Sequence, residues 1–404
     1  MYLDLFFSLE RTSLDQGLVK AEYMPNSSPS LFVFLIAVPV FIITIALEWW
    51  YASKDKDRAL YDLADSTTNL QLGSGQLLVG LLSKGPLLAL YAFLHEWALS
   101  WGVPNWDQSH WGLWILGFLI MDCAYYWFHR FSHEYNFLWA AHAVHHQSEY
   151  YNLSVALRQS WFQQIYSGLF YLPLAFLGIP MSMFFLLNAL NTLSQYWIHT
   201  QVITQLGPLE SLLNTPSHHR VHHGTDDEYV DKNYAGALII WDRMFGTFAK
   251  ETNAPRYGVI KALRTWNSGW ANFDVWAWMW KRMRSGDLTV GETLSLPFKA
   301  PAWSAEQEKP VQAQLRTHPD YELYQQRGPW FIYAVSMSVL DILLGSVLIA
   351  LAPKLSIVYI SLGALILLSS SVIHGAMLDG QTWSTKAEMI KYSLVTVLVI
   401  YLSL

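Results

Sequence analysis

Long apolar blocks separated by polar segments dominate this chain. Five of them, residues 31–50, 112–128, 181–198, 330–352 and 355–373, hold few charges and approach the roughly 20 residues that cross a hydrocarbon core. Residues 162–177 form a slightly shorter block, joined to 181–198 through Gly178, Ile179 and Pro180, a breaker tight enough to predict a hairpin. The block 77–101 is interrupted by Lys84, Gly85 and Pro86, which predicts an interfacial helix followed by a span, and the stretch after Lys391 is barely long enough to cross. Within 181–198 the polar residues Asn188 and Asn191, with Gln195 and then His199, recur at steps of three, four and four, a polar stripe along one helix face. The expected fold class is therefore all-α: a multi-span integral membrane helical bundle. It divides into N-terminal membrane segments (1–110), a central histidine-rich unit with spans (111–250), an interfacial segment and linker (251–328) and C-terminal membrane helices (329–404).

Composition agrees with that reading. The 404 residues are 53% hydrophobic and only 14% charged, which places the chain outside the ordinary soluble class. Nothing in the pattern points to nucleic acid. The first 30 residues contain acids and no basic start before an apolar core, so they do not read as a cleavable signal peptide, and the first span is expected to serve as the insertion signal. Lys54, Lys56 and Arg58 follow that span, and further cations crowd the polar region from about 200 to 328, whereas residues 102–110 contain no Lys or Arg. By the positive-inside rule the basic segments face the cytoplasm. In the polar region Trp266, Trp270, Phe273, Trp276 and Trp280 follow helical steps and lead into Lys281, Arg282 and Arg284, which predicts a helix lying in the headgroup layer.

The candidate chemistry lies in the histidines. Ten of the 14 fall between positions 129 and 223. His129 and His133 are four apart; His142 is followed by His145 and His146; His219 is followed by His222 and His223. On a helix each set shares a face. One such pair is commonly structural, but three sets within about a hundred residues predict a metal site, and nine imidazoles including His199 exceed what one ion uses. Two metals are the economical reading. Spacing alone leaves iron, zinc and copper open, and the single cysteine, Cys123, excludes a thiolate cluster. Asp122 lies seven residues before His129 and is expected to receive the second N–H of a ligating imidazole. His95, His110, His318 and His374 stand alone and read as structural. A metal transporter would place its ligands along a path at mid-membrane, whereas these sets fall at span ends and in polar segments.

In order the sets are His-x3-His, His-x2-His-His and His-x2-His-His with apolar spans between them. This resembles the fatty acid hydroxylase and sterol desaturase superfamily of membrane di-iron oxygenases, and the segments WFHRFSHE, HHQSEYYNLSVALRQS, WIHT, GPLESLLNTPSHHRVHHG and DKNYAGALIIWDRMFGTF look like those of its ether-lipid-cleaving members. The resemblance implies two irons held by His129, His133, His142, His145, His146, His199, His219, His222 and His223, with molecular oxygen as oxidant and tetrahydrobiopterin or another reductant as donor. It implies a lipid substrate drawn from the bilayer, with fatty acyl, sterol or carotenoid hydroxylation as alternatives to ether cleavage. Glu134 matches an acidic residue of that subgroup, expected to orient a ligand or move protons. Gln195 stands where relatives carry a further His. His218 is expected to be a neighbour of the ligands, and Asn233 is expected to contact a hydrophilic lipid head. A C–H bond beside an ether oxygen yields only to a strong oxidant, which no side chain supplies, so a cofactor must carry that chemistry.

Overall fold

The computed structural model describes residues 29–54, 60–301, 303 and 323–403, with side chains from 39 to 400. Among them every regular element is helical, and the only pairing of extended backbone is an isolated antiparallel bridge between Leu213 and Leu238. The helices are α1 (Pro29–Ala52), α2 (Leu63–Ser100), α3 (Trp111–Glu134), α4 (Asn136–His146), α5 (Gln163–Phe176), α6 (Met181–Ser194), α7 (Pro216–His222), α8 (Ile240–Phe245), α9 (Ser268–Met283), α10 (Val290–Ser295), α11 (Phe331–Leu351), α12 (Ile357–Leu378) and α13 (Ser384–Ser403). Helices α2, α3, α11 and α12 are long and apolar enough to cross a membrane, and α6 and the Pro39–Ala52 part of α1 are shorter apolar helices. Lys56, Arg58, His318 and the first 28 residues lie outside the described residues.

The expected break within 77–101 does not occur. Helix α2 runs unbroken for 38 residues, through Lys84, Gly85 and Pro86, and at 1.5 Å per residue is about 57 Å long. Its first turn is closed by Asp62, whose carboxylate accepts the N–H groups of Ala64 and Asp65. In water a Gly-Pro step ends helices, but in apolar surroundings an unwound backbone has no partner, so the helix tolerates the one hydrogen bond that Pro86 removes.

Two shorter predictions change as well. Helix α6 stops at Ser194, four residues before the expected end, because Gln195, Tyr196 and His199 donate their N–H groups to Thr192, Leu193 and Tyr196 in tight i→i−3 bonds. His199 thus leaves the line of the helix, and the polar stripe does not continue to it along one face. Helices α5 and α6 have 14 residues each, about 21 Å. The turn expected at Gly178–Pro180 joins them, but α5 packs mainly on α2 and α3 and α6 mainly on α3 rather than on each other. The turn meets the loop before α3, where Trp106 N–H donates to Gly178 O, and at Gly178, φ +80°, a Cβ would lie 2.2 Å from Pro104 O.

Helix α2 organises the core. Its Tyr91 packs with Met121 of α3, Tyr171 and Leu174 of α5 and Met183 of α6. Its Ala64 and Leu78 meet α11 and α12, and its Leu72 meets Val144 of α4, Trp161 and Ala271 of α9. Chain direction then alternates so that the ends of α1, α3, α6 and α12 and the starts of α2, α5 and α11 come to one end of the bundle. Glu48 of α1 there accepts Leu153 N–H and the Thr200 hydroxyl, and Gly328 N–H donates to Leu378 O.

Helix α9 links this end to the C-terminal helices. Its Asn272 accepts from Ser160 Oγ and Trp161 N, its Ala271 O accepts from Gln147 Nε2, and its Ser268 pairs with Ser371 of α12. The aromatic stripe is narrower than the sequence suggests. Trp266 precedes the helix, is buried and donates its indole N–H to Gln326 O; Trp276 is half-buried in a cluster with Ala140 and Met279. Trp270, Phe273 and Trp280 face outward.

Candidate metal centre

The three histidine sets come from α3 (His129, His133), α4 (His142, His145, His146) and α7 with the residue after it (His219, His222, His223), and His199 arrives from the turn after α6. The structure brings all nine together and sorts them. His129, His133, His142, His146 and His222 form one group, and His145, His199, His219 and His223 another, with one nitrogen of each residue within 4.8 Å of those of its group. Neighbouring sequence positions part company: His145 and His146, one residue apart on α4, look into different groups, as do His222 and His223. All nine are at the same end of the bundle, not along a path through it.

Inside each group the Nε2 atoms face one another. His129 and His142 are 2.9 Å apart, His142 and His146 3.1 Å, His146 and His222 3.2 Å. In the other group the separations are 3.1 Å for His145 and His199, 2.9 Å for His199 and His219 and 3.2 Å for His219 and His223. The Nδ1 atoms turn outward to main-chain carbonyls: His129 to Tyr234 O, His145 to Arg158 O, His199 to Gln195 O and His222 to Lys232 O, at 2.7–3.0 Å. A carbonyl only accepts, so each of these Nδ1 atoms carries the proton and each opposite Nε2 is a bare lone pair. His145 and His199 therefore aim two lone pairs at each other across 3.1 Å. Such a pair cannot hydrogen-bond to itself; it suits a cation. Burial disfavours the protonated ring throughout, pushing His145 down to about 4 and His222 to about 3 and holding His199, His219 and His223 well below the usual range. Neutral imidazoles free of thiolate are a donor set suited to iron.

The supporting shell differs from the sequence expectation at several points. Asp122 does not receive a histidine N–H. Its carboxylate accepts Ala237 N, Leu238 N, Trp241 Nε1 and Asn191 Nδ2 at 2.6–3.0 Å, so it anchors the 235–241 loop to α3. The adjoining Gly236 leaves no room for a side chain, since a Cβ there would lie 2.8 Å from Asp122 Oδ1. Gln195 turns its side chain to Asn191 and gives the centre only its carbonyl, which takes the His199 proton. Asn233 is fully buried and out of reach of a lipid head. Its amide donates to His218 O and Ala249 O and accepts Ala249 N–H. With Asp231 it adopts a left-handed conformation, φ +56° and +59°, which turns the chain so that Lys232 O and Tyr234 O both reach imidazoles of the five-histidine group. Glu134, at the end of α3, pairs with Arg130 at 2.8 Å rather than with a histidine. His218 lies outside both groups, its ring against Phe248.

Several supporting residues carried no sequence signal. Arg158 is buried beneath α4, donating Nε to Val144 O at 2.7 Å and Nη1 to Asn69 Oδ1 at 2.9 Å, while its carbonyl holds His145. Asp65 faces it at 4.0 Å and accepts Ser148 Oγ and Asn69 Nδ2. Asp242 accepts the N–H groups of Tyr234 and Ala235, fixing the loop that supplies a carbonyl to His129.

The family model described as fatty acid hydroxylase matches residues 114–247, the span that carries every one of these histidines. Similar proteins include alkylglycerol monooxygenases. The chain is 45% identical to that of Danio rerio over 268 residues (66% of this chain, 59% of that protein) and 43% identical to that of Homo sapiens over 277 residues, with the same coverage. To that of Xenopus tropicalis it is 39% identical over 308 residues, 74% of this chain and 67% of that protein. The chain thus spans about three-fifths of the length of the zebrafish and human proteins. No solved structure matches it. With the family match covering the histidine sets and the frog relative matched over two-thirds of its length, the chain belongs to the fatty acid hydroxylase family.

Proposed function

We propose that this chain is an oxygen-dependent di-iron monooxygenase of the membrane that hydroxylates an alkylglycerol ether lipid on the carbon beside the ether oxygen. One oxygen atom of O2 enters the C–H bond. The other leaves as water with two protons and two electrons from a reductant, for which tetrahydrobiopterin is the candidate. The resulting hemiacetal breaks its carbon–oxygen bond to the glycerol, giving a fatty aldehyde and a free glycerol hydroxyl. The observation that carries the reading is the all-imidazole pair of groups at the end of membrane-length helices; the ether-lipid substrate is supported by the relatives' names.

Iron, if held by the two groups, would activate oxygen for a hydroxylation that side chains cannot perform. The chain's own part is to hold and to orient. Nine neutral imidazoles present lone pairs inward, and the carbonyls of Gln195, Arg158, Lys232 and Tyr234 fix which nitrogen is bare. Asp122, Asn233 and the main chain of Gln195 act as positioning residues. Glu134 sits at the rim close to Asp231, an exposed residue with a carboxylate oxygen 4.0 Å from His133 Nδ1, and we assign the passage of protons to solvent to this acidic pair. Leu169 and Phe176 of α5 and Leu186 of α6 are exposed, and we assign the alkyl chain to this apolar surface.

Cation placement supports a cytoplasmic histidine end; a reporter inserted near Asp287 should then read cytoplasmic and one near Asn105 exterior. The function is tested by incubating membranes containing the protein with a labelled alkylglycerol, oxygen and reduced pterin. Aldehyde formed by the wild type and not by His199→Ala supports it. A hydroxylated acyl or sterol product with the ether intact overturns the substrate assignment.

A further inference from the structure

Residues 268–299 fold back on α4 and turn an apolar face outward. Beneath that face Met279 and Met283 of α9, Leu288 and Leu296 pack with Ala140 of α4. The chain is tied down where Asn136 N donates to Lys299 O at 2.9 Å and Asn136 Nδ2 to Leu296 O at 3.0 Å. On the other side Trp270, Phe273 and Trp280 of α9, Val290 and Leu294 of α10 and Phe298 are each 46–77% exposed. The sequence suggested only the first helix of this surface; Val290, Leu294 and Phe298 join it through the fold.

Three observations say what covers it. First, cations outnumber acids beyond Trp280. Between 281 and 299 the cations are Lys281, Arg282, Arg284 and Lys299 and the acids Asp287 and Glu292. Asp287 is bonded to Arg282 at 3.0 Å, and Glu292 closes a capping box with Thr289. Glu292 keeps its charge, so the net excess over 281–299 is two, carried by Lys281, Arg284 and Lys299 against Glu292. Asp274, earlier in the segment, faces Lys261, and Arg284 and Lys299 are set over the rings of Trp280 and Trp303. Second, the face continues into further exposed apolar surface: the Phe273 ring lies 5.8 Å from Phe162, which leads into α5 with its exposed Ile165 and Leu169, and α5 packs along membrane-length α2. Third, the level is right. Ser268 bonds to Ser371, seven residues before the end of membrane-length α12, which places the start of α9 about 10 Å inside that end.

We propose that residues 268–299 form a foot embedded in the headgroup layer at the histidine end, binding acidic phospholipid through Lys281, Arg284 and Lys299. Apolar side chains sink to the acyl boundary while the cations meet the phosphates. Because the foot also holds α4, it fixes the height of His142, His145 and His146 above the acyl chains.

The test uses the full chain in nanodiscs of phosphatidylcholine with or without phosphatidylserine. A Cys123→Ser, Leu294→Cys protein carries an environment-sensitive fluorophore at 294, with Val290→Cys as an independent position and Lys250→Cys, on the exposed polar surface, as reference. Lipids brominated near the headgroup are expected to quench positions 294 and 290 by about two-fold, in keeping with shallow burial, and to leave 250 unchanged, with aqueous iodide showing the reverse order. Phosphatidylserine should deepen the quenching at low salt but not at high salt, and Lys281→Gln, Arg284→Gln and Lys299→Gln together should remove that dependence. Iodide quenching of 294 and 290 equal to that of 250, as expected of a face kept for a soluble protein, overturns the foot. A phosphatidylserine effect unchanged in the triple variant overturns the acidic-lipid contact.

Discussion

Two buried clusters in this molecule use histidine in opposite ways. At the proposed metal centre nine imidazoles face one another, and where an Nδ1 has a partner it is mostly a main-chain carbonyl. Among the C-terminal helices a single imidazole, His374 of α12, has Nδ1 3.0 Å from Asp341 of α11 and Nε2 3.2 Å from Glu388 of α13, while Lys391 lies 2.7 Å from the other oxygen of Glu388. Both nitrogens of His374 face groups that accept, which suits an imidazolium, and two cations then balance two carboxylates. The second cluster balances its own charge. The first gathers lone pairs without a matching charge and is complete only with a cation. What faces the two ring nitrogens, rather than burial, separates a ligand from a strut.

The sharpest break in that contrast comes from removing one ligand. His145→Ala or His199→Ala should lower activity by more than about 100-fold, since loss of an outer-shell partner alone costs 10–100-fold, and metal analysis should fall from two ions per chain to one, with the protein still in the membrane. Retention of both metals would sink the assignment. Glu388→Ala should leave metal content untouched but cost about 3–5 kcal/mol in thermal unfolding, because it strands His374 and Lys391 among apolar helices. A smaller effect is expected at Asn233→Ala, about 10–100-fold in metal affinity of the five-histidine group. Asn233→Gly should lose less, since glycine adopts φ +56° freely. Equal losses in metal titrations would show that the amide's bonds, not the turn, set the loop. Smallest of all, Asp341→Leu, His374→Leu, Glu388→Leu and Lys391→Met combined should unfold within about 1 kcal/mol of wild type, as whole-network replacements do; a cost as large as that of Glu388→Ala alone would mean the network does more than neutralise itself.

The two clusters were unequally legible. The nine histidines stand in sequence at helical spacings, so their gathering could be read from the chain. Their division into five and four could not, because it depends on the roll of α4 and α7, which sends His145 and His146 to different groups. Most spans were visible as apolar blocks, but α2 was divided by a rule for Gly-Pro that holds in water and fails in lipid. Asp122 lay on the expected helix face, yet its partners are Asn191, 69 residues away, and the 235–241 loop, 115 or more residues away. The partners of His374 come from α11 and α13, each on its own helix, so nothing near it in the chain marked it as anything but solitary.

The facing lone pairs of His145 and His199 bear on the life of the protein in the cell. Because a cation relieves their repulsion, its binding energy becomes part of the folding energy. A newly made chain can insert its helices before it has metal, but α4, α7 and the turn after α6 should be held together less firmly until a cation binds. Until then α7 and its flanking loops are the segments most open to proteases. Iron shortage should therefore shorten the half-life of the polypeptide as well as silence it, and the amount of protein in the membrane should follow iron supply even when its synthesis is constant.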